Sequence, residues 1–382
     1  MFACLAVCQS AHADNIARFD PTNRPTQANA APPEAIDRPA LQTVKSAVAM
    51  MLSIAVAGDR IVVVGERGYV LLSDDNGKSW RQTPTPTSVT LTSVGFATPT
   101  EGWAVGHMGV ILHTTDGGSS WSKQLDGIVA ARSMLAAATN QAEGALGNPA
   151  AKAALETARQ FIEDGPDKPF LSLLVENSRH AIAWGAFGLA FSTMDAGASW
   201  VPIIDFGDPH GLHVYASARV NGSTYVAGER GLLVRSTDGR NFTVLAPTYK
   251  GTLFGLLSTP KGVLLLYGLR GTLLRSDDGG NHWEETSSGV NESLTSGIVL
   301  NDGRVVLGCQ CARIIVSTDD GRDFPRSVDV SQAVTAVSYT HLDVYKRQGM
   351  RLAPFRGFTK KSDRTPLKSA SRRIRRHCGS DV

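Results

Sequence analysis

One turn pattern, Ser/Thr-x-Asp-x-Gly-x-x-Trp/Phe, recurs through this 382-residue chain and limits its fold more than any other feature. Full copies lie at Ser73-Asp75-Gly77-Trp80, Thr114-Asp116-Gly118-Trp121, Thr193-Asp195-Gly197-Trp200, Ser276-Asp278-Gly280-Trp283 and Ser317-Asp319-Gly321-Phe324. A copy one residue shorter is Ser236-Asp238-Gly239-Phe242. Successive aspartates are 41, 79, 43, 40 and 41 residues apart. A short unit repeated at this spacing buries its apolar surface by stacking on its neighbours.

The copy from Leu91 to Gln124 resolves the unit into strand a (91–97), strand b (102–105), a Gly-x-x-Gly turn at Gly106 and Gly109, strand c (110–114), the Asp turn, and strand d from Trp121. Four short strands joined by tight turns make one propeller blade. The expectation is an all-β fold over residues 45–337: a β-propeller of six four-stranded blades plus a truncated seventh. Closure with six or with seven blades stays open at this level.

The chemistry of the pattern is structural. A short carboxylate accepts hydrogen bonds from backbone N–H groups two residues on and so closes its turn. The aromatic residue opens strand d and fills the space between blades. Asp75, Asp116, Asp195, Asp238, Asp278 and Asp319 are accordingly read as turn residues and not as catalytic acids. The b–c turns at Gly65–Gly68, Gly106–Gly109, Gly185–Gly188, Gly228–Gly231 and Gly268–Gly271 precede strands, not helices, so they are hairpin turns and not phosphate loops. In the sixth unit the turn is read as a decayed Gly308-Cys309-Gln310-Cys311.

The 79-residue gap holds an Ala-rich stretch without β-branched runs, which favours helix. Leu155, Ala158 and Ile162 recur on one face, Gly147-Asn148-Pro149 divides the stretch, and Gly165-Pro166 ends it. An α-helical hairpin inserted at 128–165, between strand d of blade two and strand a of blade three, is the predicted result.

Charge separates the body from the tail. The chain carries 38 Lys and Arg against 35 Asp and Glu, a net charge of +3. Residues 338–382 hold twelve basic and three acidic residues, which leaves 26 basic and 32 acidic in the rest. The body is therefore acidic overall and offers no basis for nucleic-acid binding. The tail, beginning SYTHLDVYKRQ, resembles an artefactual sequence ending and is expected to be non-native or disordered and basic. At the other end, the apolar run from Phe2 to Cys8 and the small-x-small site Ala11-His12-Ala13 read as a truncated signal peptide over 1–13, which implies export. Residues 14–44 are expected to lie loosely on the surface. No run of eighteen apolar residues follows, so no membrane-spanning segment is predicted.

Gly65-Glu66-Arg67-Gly68, an apolar strand, and then Ser73-Asp74-Asp75-Asn76-Gly77-Lys78-Ser79-Trp80 resemble the photosystem II assembly and stability factor family. These are exported propellers whose repeats resemble the Asp-box (BNR) repeats of neuraminidases. The helical insertion ending Gly165-Pro166-Asp167-Lys168-Pro169-Phe170 looks like that of bacterial, non-photosynthetic relatives, some encoded beside membrane exporters of the resistance-nodulation-division class. The resemblance implies an exported or periplasmic scaffold that binds a protein partner at or near a membrane, without catalysis and without a cofactor. A neuraminidase-type glycoside hydrolase is the alternative. It needs paired carboxylates, or a tyrosine nucleophile with an acid partner. The acidic residues outside the Asp turns do not cluster in long loops, and the neuraminidase Arg-Ile-Pro signature is missing.

Three further groups are candidates. Cys309 and Cys311 read as packing thiols, with a disulfide or a metal site as alternatives. Asp208-Pro209-His210-Gly211-Leu212-His213 is the densest His/Asp cluster, and core packing of His213 with Tyr215 competes there with metal binding. Arg67, Arg230 and Arg270 occupy the third position of their Gly-x-x-Gly turns. Equivalent turns share one propeller face, so these arginines are the candidate partner-binding residues, with local pairing to Glu66 and Glu229 or simple solvated charge as the competing readings. The inserted hairpin, a d–a connection, is expected to rise on the same face.

Overall fold

Strand pairing follows the repeat. The computed structural model describes residues 34–330 except Pro209, Ala246 and Thr248, together with the backbone of three strands within 334–354. Blade one is an antiparallel sheet of β1 (Met51–Ala57), β2 (Arg60–Gly65), β3 (Val70–Ser73) and β4 (Arg81–Thr83). Blade two has β5 (Leu91–Phe96), β6 (Gly102–Gly106), β7 (Ile111–Thr114) and β8 (Ser122–Leu125). Blade three has β9 (Phe170–Val175), β10 (Ala181–Gly185), β11 (Ala190–Thr193) and β12 (Val201–Pro202), and blade four has β13 (Val214–Val220), β14 (Ser223–Gly228), β15 (Leu233–Ser236) and β16 (Thr243–Val244). Blade five has β17 (Leu253–Ser258), β18 (Leu264–Gly268), β19 (Leu273–Ser276) and β20 (Glu284–Glu285). Blade six has β21 (Leu294–Val299), β22 (Val305–Cys309), β23 (Arg313–Ser317) and β24 (Arg326–Asp329).

A seventh sheet follows, made of β25 (Val334–Thr340), β26 (Asp343–Gln348) and β27 (Arg351–Pro354). Each innermost strand neighbours the next, and β25 lies between β21 and β1, so the ring closes through seven sheets. Sequence alone predicts a lone strand here, because the repeat's glycine and aspartate markers stop. Backbone pairing needs neither marker, and it carries regular structure beyond residue 338, where only an irregular tail was expected. The predicted signal peptide at 1–13 and the tail past residue 354 lie outside the described residues.

The stretch before β1 also differs from expectation. From Ala35 onward it is held against blades one and two instead of lying loose. Ser88 N–H donates to Ala35 O (2.9 Å), Ala40 N–H to Thr85 O (3.2 Å), and the Gln82 side chain bonds both Leu41 O and Thr43 N–H (2.9 Å each). Ile36 is buried in the apolar cluster that joins the two blades.

The Asp turns show how each repeat fixes its own geometry. In blade one, Ser73 Oγ accepts the Gly77 N–H (2.7 Å) and donates to Asp75 Oδ1 (2.8 Å). Asp75 also accepts the Ser79 N–H (2.9 Å) and Ser79 Oγ–H (2.6 Å). The carboxylate thus reaches the N–H four residues on in the full-length turns, and in the Asp278 turn the one three residues on as well; the shortened Asp238 turn bonds the N–H groups two and three residues on. The strand-d ring then packs backward on the preceding blade: Trp121 on Val62 and Leu72, Trp200 on Trp103, Trp283 on Tyr225, and Phe324 on Leu265.

The insertion is two helices, α1 (Gly127–Gly144) and α2 (Pro149–Asp164). Asp126 caps α1 by accepting the Ile128 and Val129 N–H groups, and Asn148 caps α2, with Pro149 at its first position. The hairpin starts beside the b–c turn of blade two, where Gly127 meets Met108, and then runs along the outer edge. Helix α1 packs against β12, with Met134, Ala138, Ala158 and Phe161 in one cluster with Trp103, Leu125 and Trp200. The hairpin thus emerges beside the b–c turn of blade two, on the face the sequence suggested, and α1 also lies against the outermost strand of blade three. Among the described residues, no helix is long and apolar enough to cross a membrane.

Candidate functional site

The b–c turns bring the candidate arginines to one end of the propeller. In blades one to five each is a tight turn with two successive left-handed residues, the type I′ geometry that matches strand twist. In blade one these are Arg67 (φ 55°) and Gly68 (φ 72°), closed by Tyr69 N–H to Glu66 O (3.0 Å). The first glycine is required for a different reason. A Cβ on Gly65 would lie 2.2 Å from Met50 O, and one on Gly228 2.1 Å from His213 O.

Six turns superpose by hydrogen bonding, since Glu66, His107, Ala186, Glu229, Leu269 and Gln310 each donate N–H to the residue just before strand a. This alignment corrects the register of blade six. Cys309, not Gly308, holds the first-glycine position, pairing with Leu294 as Gly268 pairs with Leu253. Cys311 takes the arginine position, and Ala312 (φ 56°) follows it. The two cysteines are bonded to each other in the structure, not left as separate packing thiols.

The third position therefore reads Arg67, Met108, Phe187, Arg230, Arg270 and Cys311 around the ring. Arg67, Arg230 and Arg270 are exposed, and their guanidinium groups make no hydrogen bond or ion pair with any described residue. Their glutamate neighbours are turned away from them. Glu66 Oε1 accepts the Met50 N–H (2.9 Å), and Glu229 Oε2 accepts the His213 N–H (3.1 Å). Local Arg–Glu pairing is not formed; among the described residues the three cations are solvated charges, each able to meet a carboxylate bidentately.

Blades two and three make the other part of this face apolar. Sequence reasoning passed over Met108 and Phe187 because attention rested on the arginines; alignment of all five intact turns would have shown them. Lys168 lies beneath Phe187, with its ammonium 5.4 Å from that ring and 5.6 Å from the ring of Phe161 on α2. Burial opposes its charge, but Asp167 and Asp164 outweigh burial and raise its pKa. Lys168 thus ties the end of the hairpin to the blade-three turn.

The Asp208 cluster is a turn. Asp208 accepts the N–H groups of His210 and Leu212, and His213 stands between the rings of Phe187 and Tyr215, partly exposed. Among the described residues, no group of three His, Cys, Asp or Glu side chains is placed to hold a metal.

Comparison with known proteins agrees with this architecture. Residues 49–146 match the family described as photosynthesis system II assembly factor YCF48. The chain is 37% identical over 70 residues to the photosystem II assembly lipoprotein Ycf48 of Picosynechococcus, a match covering 16% of this chain and 21% of that protein. It is 43% identical over 47 residues to the chloroplastic photosystem II stability/assembly factor HCF136 of Cyanidioschyzon merolae, covering 12% and 11%. The chain thus aligns with about a fifth or less of the length of these relatives. Among solved structures, YCF48 bound to a D1 peptide is similar at TM-score 0.59 and 17% identity, over 83% of this chain and 99% of that one. The WD40 propeller domain of Doa1 is similar at TM-score 0.59 and 12% identity, over 84% and 95%. At these identities the structural likeness shows the propeller fold. The sequence match makes the chain photosystem II assembly factor-like.

Proposed function

We propose that this chain is a non-catalytic scaffold, exported to the periplasm or an equivalent compartment, that binds a protein partner at or near a membrane through the b–c turn face. One observation carries the reading: Arg67, Arg230 and Arg270 recur at one turn position, exposed and without a partner among the described residues, while Glu66 and Glu229 bond backbone instead. Cations repeated on one end of a ring add their fields and steer an acidic segment toward it. The likeness to YCF48, a protein solved bound to a D1 peptide, supports a peptide-binding role. The six aspartates of the opposite turns are occupied by their own hydrogen bonds, which favours a structural over a catalytic role for them.

The test is capture from native membranes by the wild type and by the triple variant Arg67→Glu, Arg230→Glu, Arg270→Glu, each checked by melting temperature. Exposed turn charges contribute little to stability, so the variant should melt with the wild type. Loss of the captured partner is expected. Equal recovery by both forms would remove the arginines from the site.

A further inference from the structure

The free arginines are not the whole of the b–c turn face, because an arc of aromatic rings runs beside two of them. Phe187 packs edge-on against His213, with centroids 4.6 Å apart; His213 lies 6.3 Å from Tyr215, and Tyr215 lies 5.4 Å from Phe254. The arc passes from the blade-three turn to the innermost strands of blades four and five. Arg230 and Arg270 occupy the turns of those same two blades.

Two backbone features of the repeat place these rings. Phe187 sits at φ 58° and is 47% exposed. A bulky ring is an unfavourable occupant of the left-handed region, where glycine or asparagine would fold more easily. Tyr215 and Phe254 stand at the β-bulge that each strand a carries after its first residue: pairing skips from Val214 to Ala216 and from Leu253 to Gly255, as it does from Met51 to Ser53 and from Leu91 to Ser93. A bulge re-aims the side chain it leaves unpaired, and in blades four and five that side chain is aromatic. All four rings remain partly exposed.

We infer that Phe187, His213, Tyr215 and Phe254 seat an aromatic or branched apolar side chain of the same segment whose carboxylates Arg230 and Arg270 take. This rests on the arginine-face reading and narrows it: the partner presents an extended acidic segment that also carries apolar side chains. Charge complementarity selects the acidic character, since the two guanidinium groups flanking the rings have no partner among the described residues. The rings supply flat area with little side-chain entropy to lose, as in other aromatic binding surfaces.

The experiment uses fluorescence anisotropy with three labelled synthetic peptides of equal length. One is acidic with serine and glycine spacers, one has the same charge with phenylalanine at two spacer positions, and one is uncharged with the same phenylalanines. The wild type is expected to bind the acidic-aromatic peptide about tenfold or more tightly than the purely acidic one, a difference of about 1.4 kcal/mol. Phe187→Gly suits the backbone angle and should fold normally; it should erase that preference while leaving the purely acidic peptide unchanged. Phe254→Ser should act in the same direction. Equal affinity of the wild type for the two acidic peptides, or a preference that survives both substitutions, overturns the ring seat and leaves the arginine face standing. A preference that persists in Arg230→Glu/Arg270→Glu, with the uncharged peptide bound as well as the acidic-aromatic one, keeps the seat and removes the arginines. Failure of the wild type to bind any of the three peptides overturns both.

Discussion

Replacing Gln124 by leucine should loosen the joint between blades two and three. Gln124 Oε1 accepts from the indole N–H groups of both Trp103 and Trp200, each at 3.1 Å, and its Nε2 donates to Ala196 O at 2.9 Å. In the other tryptophan-bearing repeats the strand-d indole bonds a carbonyl of its own turn, as Trp80 bonds Gly77 O and Trp121 bonds Gly118 O. Blade three departs from that rule, and its indole crosses to the previous blade. The departure falls where α1 and α2 interrupt the chain, so the covalent link between these blades is long and side-chain bonds replace a short tether. Trp103 is fully buried and Trp200 is 8% exposed, so leucine would leave two nearly dry N–H donors without an acceptor. Each orphaned buried donor costs about 1–3 kcal/mol, and leucine retains most of the volume, so a loss of about 2–4 kcal/mol is expected. For a domain of this size that corresponds to a fall in melting temperature of roughly 3–6 °C. Chemical denaturation and thermal melting of Gln124→Leu measure it, with Gln82→Leu as the control. Gln82 holds partly exposed partners that water can replace, so its loss should stay below about 1 kcal/mol. A Gln124→Leu protein as stable as the wild type would show that the indoles find other acceptors, and the clamp would be refuted.

The Asp turns make stability depend on acid. Hydrogen bonds from the Ser79 and Ser199 side chains, then from their backbone N–H groups, lower the carboxyl pKa of Asp75 and Asp195 to about 2, and those of Asp238 and Asp278 are lowered by N–H bonds from Asn241 and His282. A depressed folded pKa stabilises above the unfolded value, roughly 4, and that contribution is lost as pH falls toward 2; melting temperature should therefore drop across this window, and a flat profile there would count against the turns. Lys168→Met should free the end of the hairpin from blade three, raising amide exchange and proteolysis in α2 while the blades keep their protection. Unchanged exchange in α2 would mean that the apolar contacts of Phe161 and Ala158 suffice.

Much of the fold was legible because its markers answer to backbone requirements. The Asp turns, the first glycine pressed against a carbonyl, and the Ala-rich insertion, predicted at 128–165 and found as Gly127–Gly144 and Pro149–Asp164, all carry local signals. The blade-six register was harder, since Cys309 occupies a site where other blades need glycine. Counting back eight residues from the turn Ser or Thr lands on Gly65, Gly106, Gly185, Gly228, Gly268 and Cys309, and would have placed it. Adjacent letters suggested Arg67–Glu66 and Arg230–Glu229 pairs. The left-handed turn instead sends the glutamate to the strand-a backbone, a direction that spacing does not encode. Nor could helical periodicity tell that α1 would lie along β12, because an amphipathic hairpin packs equally well on a rim or a face.

The central claim, that the b–c turn face is where the partner binds, is tested most directly by amide hydrogen exchange on the captured complex against the free protein. The account predicts added protection at the turns carrying Arg67, Phe187, Arg230 and Arg270 and at the bulges of Tyr215 and Phe254, with the Asp turns unchanged. Protection confined to the Asp75, Asp116, Asp195, Asp238, Asp278 and Asp319 turns would contradict it and move the binding surface to the opposite end of the propeller.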